Sequence, residues 1–132
     1  MTQQEKQLLI KDLCSRLPYG VMLRFEEITG DYNDRLRCID LKNDDALYIN
    51  GICVYDSSYE TRTTIKPYLR DILDMTEEEK TYYDNLLGKN IYTTRYSACR
   101  LIDWLNEHYF DYNDLIEKGL ALKASNEMYK IN

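Results

Sequence analysis

The apolar residues of this chain change period twice, and that limits the folds open to it. Leu9, Ile10, Leu13 and Leu17 recur at the spacing of one helix face. Val21, Leu23 and Phe25 then alternate with Met22, Arg24 and Glu26, the pattern of a half-buried strand. The helical period returns with Tyr82, Tyr83, Leu86 and Leu87, read as the buried stripe of a second helix. It continues with Ala98, Leu101, Ile102, Leu105 and Tyr109 on one face of a third. Helix first, strands next and helices last is a segregated order, which predicts α+β rather than alternating α/β. The expected architecture is a small antiparallel sheet of about three to four strands packed against about three to four helices.

Local signals place the boundaries. Thr2-Gln3-Gln4-Glu5 has the form of a capping box, and Pro18-Tyr19-Gly20 ends the first helix. Lys11, Asp12 and Arg16 fall away from the centre of its apolar stripe. Gly30-Asp31-Tyr32-Asn33-Asp34 is a loop by composition, and residues 36–41 read as a second strand. Asn43-Asp44-Asp45 is a turn. Residues 46–55 read as a third strand interrupted at Asn50-Gly51, or as two short strands, since Asn-Gly is a strong hairpin signal. Residues 57–64 are polar and irregular. Ile65-Lys66-Pro67-Tyr68-Leu69 is an edge strand or a single turn, because proline disfavours a central strand. Thr76-Glu77-Glu78-Glu79 is a second capping box, with Gly88 placed as the C′ residue of that helix. The third helix starts near Thr94 or Arg95. Residues 111–118 suggest a short fourth helix closed by Gly119, and residues 120–123 a last strand. The expectation is one domain over residues 1–124 with a loose tail over 125–132.

Three stretches carry a resemblance. They are residues 9–21, ending Leu17-Pro18-Tyr19-Gly20-Val21; residues 65–70 followed by Met75-Thr76-Glu77-Glu78-Glu79; and residues 102–112, Ile102-Asp103-Trp104-Leu105 to Tyr112, running on to Gly119-Leu120-Ala121. In these the chain resembles a family of short uncharacterised proteins of Bacteroides-type gut bacteria and their phages. The resemblance spans most of the chain and is weakest over residues 36–64. It implies a phage or mobile-element origin and assigns no residue a role.

Composition narrows the function classes. The 132 residues carry 17 Lys and Arg against 23 Asp and Glu, a net charge of −6. Direct nucleic-acid binding needs clustered bases, and an anionic membrane repels such a chain, so neither is expected. Cys14, Cys38, Cys53 and Cys99 show no C-x-x-C spacing, and His108 is the only histidine, so no metal site is expected. Each cysteine has apolar neighbours, which reads as a buried, reduced thiol. No phosphate-binding glycine loop occurs and no cofactor is implied. The first residues lead into an amphipathic segment rather than an apolar signal core, which points to the cytoplasm.

Catalysis has few candidates. A nucleophile needs a base within reach. His108 is the only imidazole, and Cys99 stands nine residues before it on another part of the same helix. Adjacent carboxylates such as Glu26-Glu27 and Asp44-Asp45 read as solvated surface, and Glu77 to Glu79 as helix capping. Tyrosine is the feature above background: thirteen, against two phenylalanines and one tryptophan. Tyrosine combines contact area with a polar tip and is enriched at interfaces. Tyr32, Tyr59 and Tyr112 sit in polar loop contexts, and Trp104 and His108 share one flank of the third helix. These five form the candidate interaction surface; packing around the rim of a small core is the competing reading. The chain therefore reads as a small non-enzymatic protein-interaction or regulatory module whose partner is another protein. The alternatives are an acidic nucleic-acid mimic that inhibits a DNA-binding enzyme, and an enzyme or small-molecule binder with a pocket near His108.

Overall fold

The computed structural model describes residues 2–42, 46–56, 63–89 and 95–130. Helix α1 (Gln3–Arg16) starts at the Thr2 cap: Thr2 Oγ1 accepts from the Glu5 N–H at 3.1 Å, and the Glu5 carboxylate accepts from the Thr2 N–H at 3.5 Å. It ends in a single 3-10 turn at Leu17–Tyr19, closed by Gly20 at φ 62°.

Among the described residues, seven strands form two sheets. Strands β1 (Met22–Glu27) and β2 (Gly30–Arg35) make an antiparallel hairpin. Strands β3 (Ile39–Lys42), β4 (Ala46–Ile49) and β5 (Ile52–Asp56) form a separate antiparallel sheet. Asn50 at φ 51° and Gly51 at φ 81° close the β4–β5 hairpin, so residues 46–55 are two short strands and not one interrupted strand. Strand β6 (Thr64–Leu69) pairs antiparallel with β1, and β7 (Leu122–Lys123) lies parallel to β6, so the first sheet runs β2-β1-β6-β7. Helices α2 (Glu77–Lys89) and α3 (Arg95–Glu107) fall between β6 and β7 in the chain. One apolar cluster joins α1 to both sheets and to the C-terminal segment: Leu9 and Leu13 of α1, Leu23, Phe25, Ile65 and Leu69 of the first sheet, Leu47 and Ile49 of the second, and Leu115 and Leu120 near the C terminus.

The α+β class holds, with four strands in one sheet and three in the other. Several local expectations do not. The polar stretch from Gly30 is strand β2, not a loop: it pairs residue for residue with β1 and takes an exposed edge, where polar side chains suit it. Residues 36–38 precede β3 rather than belonging to it. Pro67 sits in β6, an interior strand. The two-residue β7 pairs only with Tyr68 and Leu69, so at the proline the sheet has a neighbour on one side only. Gly88 lies inside α2. In the second helix Leu86 is buried, whereas Tyr82 and Leu87 are exposed. Residues 111–118 form turns and not a fourth helix, because Asp114 takes φ 56° and the Asp111 carboxylate accepts the N–H groups of Asn113, Leu115 and Ile116. Tyr109 is not on the face of α3 but follows it at φ 62°. There the Tyr109 and Phe110 N–H groups donate back to Asn106 and Leu105, closing the helix where glycine is the usual residue. The tail expected to be loose is anchored at Tyr129: its hydroxyl donates to Tyr68 O at 2.7 Å and accepts from the Met22 N–H at 2.9 Å, and its ring stacks on Tyr109 at 3.8 Å. Cys14, Cys38 and Cys99 are exposed rather than buried, and Cys53 is half-buried. The expected turn at residues 43–45 and most of the irregular stretch 57–64 lie outside the described residues.

The largest departure is in α1. Asp12 and Arg16 are fully buried. Arg16 Nε and Nη2 donate to the two Asp12 carboxylate oxygens at 2.8 and 3.1 Å, and Nη2 also donates to Phe110 O at 2.7 Å. Asn113 Nδ2 donates to Asp12 Oδ1 at 2.9 Å. The pair therefore binds α1 to the segment that follows α3. Breaking such a pair strands a buried charge, whereas replacing both partners by apolar residues does not. Asp12→Ala is expected to lower stability by about 3–5 kcal/mol in urea denaturation. The double variant Asp12→Leu/Arg16→Met is expected to recover most of that loss; equal loss in both variants would contradict the stranded-charge explanation.

Candidate functional site

A second buried arginine sets the geometry of the two later helices. Arg70 follows β6, and its N–H donates to Tyr109 O at 2.7 Å while the Asp111 N–H donates to Arg70 O at 2.9 Å. Its guanidinium grips the Glu79 carboxylate with two hydrogen bonds of 2.7 and 2.6 Å, and Nη1 reaches His108 O at 3.3 Å. The guanidinium also lies over Phe110, 4.2 Å from the ring centroid. Glu79 completes the predicted capping box: its Oε1 accepts from the Thr76 N–H at 3.0 Å and its N–H donates to Thr76 Oγ1 at 3.2 Å. One residue thus ties the start of α2 and the end of α3 to the sheet.

That tie brings an aromatic cluster together around Trp104. Its ring centroid lies 5.3 Å from Tyr82, 6.3 Å from Tyr83, 4.7 Å from His108 and 5.6 Å from Phe110. His108 Nδ1 stands 2.9 Å from the Trp104 carbonyl. A carbonyl only accepts, so Nδ1 carries the proton and Nε2 the lone pair in the neutral ring. Phe110 closes the inner side of the cluster and is fully buried. The outer side opens into a cavity of 430 Å³ bounded by Tyr19, Tyr82, Arg100, Asp103, Trp104 and Glu107, with Cys99 beside them. Arg100 Nη2 donates to the Tyr82 hydroxyl at 3.2 Å. The Tyr19 hydroxyl has its pKa raised, first by burial and then by the negative charge of Asp103 and Glu107. Aromatic walls, two carboxylates and the Arg100 guanidinium thus share this cavity, and the acids outnumber the base.

The five residues singled out from sequence divide. Trp104 and His108 meet in this cluster. Tyr112 is half-buried; its hydroxyl donates to Asn106 Oδ1 at 2.8 Å, and the Arg16 guanidinium lies 5.1 Å from its ring centroid, so it braces the buried ion pair. Tyr32 belongs to the edge strand β2, stacks on Phe25 at 5.0 Å and donates to Glu27 at 3.2 Å. Tyr59 lies outside the described residues. Sequence reasoning missed Tyr19, Asp103 and Glu107 and placed Tyr82 in the interior. Arg100, Asp103, Trp104 and Glu107 repeat at i, i+3, i+4 and i+7, which marks one helix face. Nothing local marks Tyr19, which reaches the cavity from the turn after α1.

Among the described residues no group of three or more His, Cys, Asp or Glu side chains is placed to hold a metal ion. Among them, too, no helix is long and apolar enough to cross a membrane. The chain matches no protein-family model, no curated protein and no solved structure.

Burial alone would raise the Glu79 pKa, but the hydrogen bonds from Arg70 and from Thr76, with the charge of Arg70, hold it below its ordinary value. A carboxyl with a depressed folded pKa stabilises above its unfolded pKa, and that contribution disappears as the pH falls through the folded value. Wild-type stability is therefore expected to fall between about pH 5 and 3 more steeply than that of Glu79→Gln. Chemical denaturation of both proteins across that range checks this; parallel curves would remove Glu79 as a source of acid sensitivity.

Proposed function

We propose that the protein is a non-enzymatic interaction module that takes a basic segment of a partner protein on the face formed by α2 and α3. The observation that carries this reading is the solvent-open pair Tyr82–Trp104 beside the carboxylates of Asp103 and Glu107. A lysine or arginine against an aromatic face gains about 0.5–2 kcal/mol, more as water is excluded. Tryptophan and tyrosine are the side chains that most often dominate binding at protein interfaces. The net charge of −6 draws a basic partner from a distance.

Four free thiols suit a reducing, cytoplasmic setting. The resemblance found in the sequence adds the proposal that the module is an accessory factor of a phage or mobile element.

The test compares tagged wild-type protein with Asp103→Lys/Glu107→Lys in a host lysate washed at low and high salt. Both substitutions are exposed and leave the aromatic cluster intact. A basic protein is expected in near-equal amount on the wild type, released by high salt and reduced about tenfold or more on the double variant. Titration of the purified partner, followed through the emission of the single tryptophan, then places binding at this face. Equal retention by the variant would reject the site.

A further inference from the structure

A second concave surface lies between α1 and the β4–β5 hairpin, away from the aromatic face. Residues 3, 6, 7, 10 and 11 of α1 form one wall, at i, i+3, i+4, i+7 and i+8, so they share a helix face distinct from the one that buries Leu9, Asp12, Leu13 and Arg16. Leu41, Ala46, Leu47 and Tyr55 form the other wall of this groove, whose volume is 510 Å³. It adjoins a second pocket of 130 Å³ that shares Lys6, Ile10, Leu47 and Tyr55, reaches Leu9, Val54 and Ile65, and has the exposed Thr64 at its edge. An outer groove within the usual size of ligand sites, opening onto a small apolar recess, is the shape that admits a chain with one polar end.

Among the described residues, the charges at its mouth are of one sign. The protein carries an excess of acids, yet among the described residues lining both spaces there is no carboxylate, and the charged groups are Lys6 and Lys11. Neither lysine has an ion pair with a described carboxylate. Lys6 is half-buried, and its ammonium sits 3.1 Å from the centroid of the Tyr55 ring, at the junction of the two spaces. The contact fixes the cation there without neutralising it, because the ring face supplies a quadrupole and no charge. Ammonium hydrogens left over are free to donate to an anion.

We propose that this groove binds an apolar monocarboxylate, a short fatty acid or an aromatic acid, with its tail in the inner recess and its carboxylate against Lys6 and Lys11. The recess is too small for a peptide backbone with its paired polar groups, so a free acid is the occupant that fits both the volume and the charge. The site is independent of the α2–α3 face, so the two proposals fail separately.

The experiment titrates the intact protein with octanoate, and in parallel with 1-octanol and octylamine, by calorimetry and by amide chemical shifts. Saturable one-to-one octanoate binding is expected, with shifts on α1 and β4–β5 and none on α3. Octanol should bind about tenfold more weakly and octylamine not measurably. Lys6→Gln should weaken octanoate about tenfold with an unchanged far-ultraviolet spectrum and a Tm lowered by only about 2–5 °C, from loss of the Tyr55 contact. Val54→Phe, which fills the recess, should remove tail length dependence between butanoate and octanoate. The proposal is overturned if octanoate at millimolar concentration leaves α1 and β4–β5 unshifted. It is equally overturned if the acid, alcohol and amine bind alike, or if Lys6→Gln binds octanoate as the wild type does.

Discussion

Two buried guanidinium groups hold the segment that follows α3, and the placement of the later helices depends on them. Arg16 reaches it from α1 through Phe110 O, with Asp12 bridging onward to Asn113. Arg70 reaches it from the end of β6 through His108 O and the paired backbone around Tyr109 and Asp111. Each arginine is neutralised by a carboxylate bound through two nitrogens, Asp12 in one case and Glu79 in the other. Charges removed from water persist only when paired and hydrogen-bonded in this way. The planar fork of arginine suits the task because it satisfies a carboxylate and a carbonyl at once. The unusual backbone of Tyr109 stands between the two clamps and is held by its own hydroxyl, which donates to Tyr19 O at 2.7 Å.

The surface divides by charge as the interior is tied by charge. On α3, Asp103 and Glu107 edge an aromatic cavity. On α1, Lys6 and Lys11 edge an apolar one. In a protein of net charge −6 the second arrangement runs against the background and the first runs with it. Three of the five acids from Asp71 to Glu79 are paired with bases. Glu79 is committed to Arg70, and Lys123 stands 3.9 Å from Asp71 and 3.1 Å from Asp74. Glu77 and Glu78 of the same stretch stay exposed, with no ion pair to a described base.

Period and punctuation made the helices and most strands legible: both capping boxes, the Asn50-Gly51 hairpin and the α1 stop are read from a few residues each. The failures share a cause. Asp12 and Arg16 look like solvent-facing residues by hydropathy, and only their partners, some ninety to a hundred residues away, make burial possible. Strand β2 is polar because an exposed edge demands no apolar face, so composition alone reads it as a loop. Pro67 is tolerated inside a sheet because a two-residue neighbour stops short of it. The candidate site was half legible for the same reason. Trp104 and His108 stand together on α3 and are visible as a helix flank, whereas Tyr19 joins them only through tertiary packing.

Native-state hydrogen exchange, residue by residue, tests most directly whether the two clamps set this structure. The amides of Arg70, Phe110, Asp111 and Leu115 all lie in the clamped segment or pair with it. If the clamps govern the fold, these amides open only with the whole molecule, and their exchange free energies equal the global stability measured by denaturant. Exchange of these four at markedly lower free energy, while the amides of β1 stay protected, would mean that the segment after α3 opens on its own and that the buried arginines decorate the fold rather than hold it.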